Sequence, residues 1–296
     1  MNMHAYLIMT HGDIYILHRL LKLLDYEKND IYLHIDKKMD NVDFDFLKSL
    51  IKKGNIYFID RMDVRWGSKS QIFCELKLLE EAVKKKHKYY HFISGVDLPL
   101  KTQSEIHDFF DNSGKEFIEF DNDKKIDEKY LDRIKYYHVA VNHLRSKNKI
   151  FAKVAASIRF HFVDFQRKLG VNRIRKSNID FQKGPNWFSI THDLAEYIVK
   201  QASNLKCFNF SYCADELFVQ TIVFNSKFKY NLYMENGKSC SKRLIDWQRG
   251  NPYTFTNDDY KLLCNSDCMF ARKFSSNVDK KIIDAIYKKI SGEDFS

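Results

Sequence analysis

Ala5-Tyr6-Leu7-Ile8-Met9 leads through the polar turn Thr10-His11-Gly12 into Ile14, Leu17, Leu20, Leu21 and Leu24, and then into Ile31-Tyr32-Leu33-His34-Ile35, which ends in Asp36. The first run has a strand's length, the spacing after it marks one face of a helix, and the third run is again a strand. Strand, helix and strand in this order form a parallel βαβ unit. The same alternation continues with a helix from about Asp43, a strand Asn55 to Ile59, a long helix Ser68 to Lys86 and a strand Tyr89 to Ile93. The expected fold is therefore α/β, a mostly parallel, doubly wound central sheet flanked by helices. Ligands of such sheets bind beyond the carboxyl ends of the strands. That rule selects His11, Asp36, Arg65 to Ser68 and Ser94 to Asp97.

The bulk numbers suit this architecture. A chain of 296 residues with 44% hydrophobic content can bury a large core, and ten Gly and three Pro argue against long disordered or linker-rich stretches. We expect a single domain over 1–296, in two halves, 1–125 and 126–296. The six cysteines include one pair near zinc-ligand spacing, Cys264 and Cys268, with no second pair to complete a site, and they read as free thiols. The N-terminus lacks a cationic leader, and no apolar run approaches the roughly 20 residues a membrane span requires. The expected location is cytoplasmic, with peripheral contact on the inner face of the cell membrane as an option. A formal charge of +10, from 49 Lys and Arg against 39 Asp and Glu, favours an anionic partner.

Beyond Phe120 the alternation loosens. Arg145 to Arg175 is basic, with Ile150, Phe151, Val154, Ala155, Ile158, Phe162 and Phe165 on one helical face among Lys147, Lys149, Lys153, Arg159, Arg167 and Lys168. It reads either as a membrane-surface helix or as a core-facing helix with a solvated basic back. The core-facing reading is preferred, because every large domain needs such helices. Regular order resumes with a strand Trp187 to Thr191, a helix His192 to about Ala202, a helix headed by Asp215-Glu216, and a strand Phe228 to Met234.

The chemistry narrows by exclusion and then by position. Neither G-x-G-x-x-G after the first strand nor G-x-x-x-x-G-K-S/T occurs, so the glycine devices of dinucleotide and P-loop phosphate sites are missing. The turn Met9 to Gly12 with Asp36 can hold a base and ribose, the carboxylate accepting sugar hydroxyls, although Asp36 reads equally well as a helix cap. Asp97 lies in a Gly- and Pro-bracketed turn, where an Asx-type structural role is the alternative. Asp43-Phe44-Asp45 has the spelling of a metal-binding Asp-x-Asp but heads a helix; Asp121-Asn122-Asp123 follows an expected strand Glu116 to Phe120 and is better placed, though Lys124 and Lys125 compete for its charge. Without a metal, a diphosphate leaving group needs fixed cations, for which Arg249 and Lys273 are candidates. Asp215 and Glu216 stand at a helix start. One can cap it while the other, lodged against Phe188 or Trp187, gains proton affinity and serves as a base.

The ordered set Ala5-Tyr6-Leu7-Ile8, His34-Ile35-Asp36, Val64-Arg65-Trp66-Gly67-Ser68, Ser94-Gly95-Val96-Asp97-Leu98-Pro99-Leu100-Lys101-Thr102, Gly184-Pro185-Asn186-Trp187-Phe188, Asp215-Glu216 and Phe270-Ala271-Arg272-Lys273-Phe274 resembles the core-2/I-branching β-1,6-N-acetylglucosaminyltransferase and peptide O-xylosyltransferase family (glycosyltransferase family 14), in its bacterial form. The resemblance implies a GT-A-like nucleotide-sugar fold, with 1–125 as a nucleotide-binding half and 126–296 as an acceptor-binding and catalytic half, an inverting mechanism, a UDP-sugar donor and no metal cofactor. It implies Glu216 as catalytic base, Asp36 as a nucleotide contact and Lys273 as a diphosphate cation, with Arg249, or Arg243 as fallback, as its partner. His11, Arg65 and Asp97 join the donor side, and Glu119, Arg133, Lys135 and Trp187 the acceptor side, with Trp187 offering a flat face to a sugar ring. The expected reaction moves N-acetylglucosamine, or xylose, galactose or glucuronic acid, to a hydroxyl of a glycan or lipid-linked oligosaccharide in bacterial surface polysaccharide synthesis. Nucleic acid is not expected as a partner; a non-catalytic basic module on nucleic acid or membrane is the reading of a different class.

Overall fold

The computed structural model describes residues 2–121, 126–202 and 206–295. The first half runs β1 (His4–Thr10), α1 (Ile14–Leu24), β2 (Asn29–Ile35), α2 (Phe44–Ser49), β3 (Asn55–Ile59), α3 (Ser70–Ala82), β4 (Tyr89–Ser94), a short β5 (Leu98–Pro99) and α4 (Gln103–Ser113). The second supplies α5 (Glu128–Lys135), α6 (Lys149–Lys168), β6 (Phe188–Thr191), α7 (His192–Ala202), α8 (Asp215–Phe224), β7 (Met234–Glu235), β8 (Lys238–Ser239), β9 (Arg243–Ile245), α9 (Tyr260–Asn265), β10 (Phe270–Arg272) and α10 (Lys280–Ser291).

The central sheet has the order β3-β2-β1-β4-β6. β1 pairs in parallel with β2 and β4, β2 with β3, and only the edge strand β6 runs antiparallel. Strand side chains alternate between faces, and β1 shows the result. Ala5 and Leu7 join one core with Leu78 and Leu79 of α3, Leu194 of α7 and Phe218 of α8, while Tyr6 and Ile8 join another with Leu17 and Leu20 of α1, Phe110 of α4 and Ile283 of α10. The helices start where the sequence provides caps. Asp13 accepts from the Ile16 amide at α1, and Thr102 with Glu105 forms a capping box at α4.

Because β2 and β4 flank β1 on opposite sides, the strand order reverses at β1, the position where doubly wound sheets open a crevice. Gly95 makes that crevice possible. A Cβ there would lie 2.2 Å from Thr10 Oγ1, so only glycine lets the chain leaving β4 pass the end of β1.

Three expectations change. Glu116 to Phe120 is not a strand; two isolated bridges, Glu116 to Leu232 and Phe117 to Ser189, tie it to its neighbours. Phe228 to Met234 does not extend as a strand either. Ser226 accepts from the Phe228 amide and starts a 3-10 turn over Lys227–Asn231; beyond the Leu232 bridge, Met234–Glu235 pairs with Lys238–Ser239. The third change concerns α6. Ala155, Val163 and Gln166 face inward, whereas Ile150 is 75% exposed and Phe165 57%, so the apolar face is not in the core. All six cysteines are free thiols.

Candidate active site

The carboxyl ends of β1 and β2 open onto a cavity of about 520 Å³, lined by Thr10, His11, Asp36, Lys38, Arg65, Trp66, Gln71 and, from the second half, Asn142, Arg145 and Lys147. The strand-end rule therefore places His11, Asp36 and Arg65 together. Asp36 is 1% exposed. Its carboxylate accepts from the Lys38 amide (2.8 Å), Lys38 Nζ (2.9 Å) and the Val64 amide (3.1 Å). A carboxylate offers about four lone-pair sites, so little more than one remains for a sugar hydroxyl. Arg65 is held by Asp63 and by the Asn142 carbonyl. Burial, and then the nearby Arg272, hold the His11 imidazole below its usual range.

A second, three-stranded sheet brings the C-terminal region to this mouth. β10 pairs antiparallel with β5, matching Ala271 to Leu98, and this register sets Arg272 beside Asp97. Arg272 Nη1 donates to Asp97 at 2.7 Å, and the other oxygen of Asp97 accepts from the Ser94 amide. Asp97 is thus a buried anchor that aims Arg272 and organises its own turn. Lys273 follows. Burial, with Arg272 and Arg145 close by, lowers its proton affinity, and among the described residues it makes no ion pair with a carboxylate. Arg145 stacks over Trp66 at 3.8 Å. Arg272, Lys273 and Arg145 therefore form a cationic group beside His11, of which only Lys273 was expected.

Three other expected residues lie apart from this group or are covered. Arg249 is drawn away, with Nε on Asp246 at 2.5 Å and Nη1 on Asp259 at 2.7 Å. Both of its faces are neutralised. The fallback Arg243 is buried in the scaffold, donating to the carbonyls of Ser241, Phe92 and Phe188 and to Ser189 Oγ. Trp187 offers no open face, because it is 7% exposed and its ring is covered by Phe92 and by the Arg272 guanidinium at 4.2 Å.

The paired carboxylates divide at α8. Ala214, not Asp215 or Glu216, occupies the cap position, and it makes no side-chain cap. Asp215 is buried, accepts from Gln71 Nε2 at 3.0 Å, and has its proton affinity raised to about 7 by burial and by the Glu216 charge. Beneath it Glu75 is pushed far up by its own burial and then by Asp215. Raised affinity thus falls on Asp215, among Gln71 and Glu75, not on a group against Phe188 or Trp187. Glu216 faces outward. Its Oε2 accepts from Arg133 at 2.7 Å and lies 3.5 Å from Lys183 Nζ, while Oε1 accepts no hydrogen bond among the described residues.

Glu216 does not line the main cavity; the residue before it, Asp215, is the one that Gln71 of the cavity wall holds. Glu216 stands beside Lys183, which lines a smaller hollow of about 220 Å³ with Asp121, Ile126, Asp127, Tyr130 and Gln182. Arg133 is its direct partner. Glu119 reaches it through the main chain, since Gly184 packs on the Glu119 carbonyl and donates to the Glu216 carbonyl at 3.0 Å. The Glu119 carboxylate itself accepts from Ser241, and burial raises its proton affinity. Lys135 is not part of the group, since its ammonium lies over Tyr136, the ring that also carries Arg167.

For metals, Asp43 is the cap of α2, accepting from the Phe46 amide. Asp121 is paired with Lys183 at 2.6 Å, and Asp123 lies outside the described residues. One described cluster, His4, His107 and Asp111, gathers three ligating atoms at the far end of β1. Its imidazoles stack at 3.7 Å with 14° between planes, so their in-plane lone pairs run parallel and do not converge on one ion.

The sequence reading missed Arg145, Arg272, Lys38 and Gln71, and it named Trp66 only within the strand-end run Arg65 to Ser68. Trp66 and Arg272 stood inside quoted motifs, but Arg145 carried no local signal beyond its charge.

A family model described as Core-2/I-Branching enzyme matches residues 4–267. Xylosyltransferase 2 of Homo sapiens is 25% identical over 309 residues, covering 95% of this chain and 33% of that protein. Xylosyltransferase of Ciona intestinalis is 23% identical over 311 residues, with 98% and 34% covered. The chain thus spans about one third of the length of the curated relatives it matches. The solved apo form of mouse Xyloside xylosyltransferase 1 superposes with a TM-score of 0.38 and 10% identity, over 92% of this chain and 97% of that one. With its match running from the start of β1 to beyond α9, the chain belongs to the Core-2/I-Branching enzyme family.

Proposed function

We propose that the protein is an inverting, metal-independent glycosyltransferase that moves a sugar from a UDP donor to a glycan hydroxyl. The observation that carries this reading is the convergence of Arg145, Arg272 and Lys273 beside a strand-end cavity holding His11 and Asp36. Three cations around one polar mouth suit a diphosphate, with the nucleoside on the Asp36 side.

Glu216 Oε1 takes the proton of the acceptor hydroxyl. The freed oxygen pair attacks the anomeric carbon opposite UDP, the bond from that carbon to the β-phosphate oxygen breaks, and its electrons leave on UDP. An α-linked donor gives a β-linked product. Arg272, Lys273 and Arg145 meet the charge that develops on the leaving diphosphate, which is the electrostatic role a metal would otherwise fill. Arg133 fixes the Glu216 carboxylate by its second oxygen, and the hollow beyond Lys183 takes the acceptor. We assign N-acetylglucosamine as the sugar and a bacterial surface polysaccharide as its destination. The names of the curated relatives favour xylose as the rival donor sugar. Thermal stabilisation by a panel of UDP-sugars separates the two, since a ligand binding the native state raises apparent stability.

Glu216→Gln keeps the Arg133 contact but removes the base. We expect transfer to fall by at least about 10²-fold with UDP affinity unchanged by calorimetry; retained transfer sinks the assignment. Transfer should also persist in excess EDTA. Loss of activity restored by manganese would instead assign the diphosphate to a metal.

A further inference from the structure

The exposed face of α6 has no place in the chemistry above. Ile150, Val154, Ile158, Phe162, Phe165 and Leu169 recur at intervals of three, four and seven, and at about 100° per residue they fall within roughly one third of the helix circumference. Each is between 36% and 75% exposed. Over the helical residues this makes an apolar stripe approaching about 30 Å in length at 1.5 Å per residue. Lys153, Arg167 and Lys168 border one edge, and the buried residues Ala155, Gln166 and Val163 mark the side that packs on the protein. Near the C-terminal half Tyr137, whose amide donates to Gln166, and Phe210 are also exposed. A contiguous exposed apolar patch of this kind marks an interaction surface on a folded protein.

Charge decides the occupant. Residues 145–175 carry nine Lys and Arg against one carboxylate, Asp164. A second copy applying the same face would set those cations against their equals, as a two-fold interface requires. An anionic bilayer satisfies both features at once, taking the apolar stripe into the acyl boundary and the cations at the headgroups.

We propose that α6 seats the protein on anionic lipid bilayers. Arg145 lines the main cavity and precedes α6 by one turn, so binding through this helix holds the cavity mouth near the lipid surface. The proposal does not depend on the transfer chemistry, since its readout is partition alone.

The full chain is to be floated with vesicles of phosphatidylcholine alone and with vesicles containing 30% phosphatidylglycerol, at low and high salt. Binding is expected to the second kind, weakened by salt. Ile158→Ser with Phe165→Ser should cut partition by about tenfold or more, because binding scales with the apolar area inserted, and Lys153→Glu with Lys168→Glu should abolish the preference for anionic lipid. Phe160→Ser, equally exposed but on another side of the helix, is the control and should bind as the parent does. Melting temperatures of all three should match the parent, since the changed side chains face solvent. No binding to the anionic vesicles, or equal partition of the Ile158 and Phe165 variant, overturns the proposal. Self-association by sedimentation velocity that is lost in that variant, without lipid binding, overturns it in favour of a second copy.

Discussion

Gly184→Ala is a test of the acceptor side that removes no functional group. A Cβ at this position would stand 2.0 Å from the Glu119 carbonyl oxygen and 3.0 Å from its carbon. Carbon contacts are comfortable near about 3.5 Å, so the chain must give by roughly 1 Å or more. It has little freedom to do so, because the Gly184 amide donates to the Glu216 carbonyl at 3.0 Å and Gln220 Nε2 on α8 donates to the next carbonyl, Pro185, at 2.6 Å. The displacement therefore passes into the first turn of α8. Overpacking of this kind costs about 1–3 kcal/mol, which should lower the melting temperature by several degrees. A 1 Å error in a catalytic group costs about 10²-fold in rate, so kcat should fall by that order while the UDP dissociation constant stays at the parent value. Steady-state kinetics with UDP-sugar and acceptor, set beside UDP calorimetry, reads both. Parent-like kcat in a folded Gly184→Ala protein, or lost UDP binding with kcat intact, would show that Glu216 is not positioned through this contact.

Lys273→Ala should weaken UDP binding by about tenfold, the loss of one charge-assisted hydrogen bond, with little change in melting temperature, since this lysine makes no ion pair among the described residues; unchanged affinity would move the diphosphate elsewhere. Asp215→Asn should change the pH profile of stability. In the unfolded chain an Asp loses its proton near about 4, whereas the buried Asp215 holds it to about 7. Between those values the folded state binds more protons, so this group makes stability fall as pH rises and its burial is fully penalised above 7. The Asn variant should therefore gain melting temperature over the parent from pH 5 to pH 8; a constant difference across that range refutes the buried, proton-holding role.

Much of the first half was legible because its signals are local. The β1, β2, β3 and β4 runs are apolar and short, the intervening helices carry spaced apolar residues and caps such as Asp13, and the strand-end rule then finds His11 and Asp36 with no further information. The cationic group was harder to read, since it depends on pairing between distant segments. Nothing near Arg272 says that β10 will pair with β5 and set it against Asp97, and Arg145 looks like the other cations of its basic stretch until it folds over Trp66. Arg249 misled for the reverse reason, being charged, close in sequence to the site and paired with Asp246 and Asp259. The amphipathic pattern of α6 identified a helix with two faces, but periodicity alone does not say whether the apolar face meets protein or solvent.

The division between Asp215 and Glu216 follows from how α8 is buried. Successive helical residues point about 100° apart, so adjacent carboxylates cannot share an environment. From Cys213 through Val223 every residue is buried except Glu216. A helix apolar nearly all round is a core helix, and only Glu216 in its first turn and Phe224 at its end come toward the surface. Its neighbours in the packing, Phe218 against Phe208 and Gln220 against the Pro185 carbonyl, leave it no rotation that would exchange the two side chains without exposing Leu217 or Phe218. Glu216 is thus carried by a rigid element, not by a loop, which is the condition for holding a proton acceptor to a fraction of an ångström. Asp215, turned inward onto Gln71, links that element to the wall of the main cavity, so the two carboxylates couple the Lys183 side to that cavity without either one touching both.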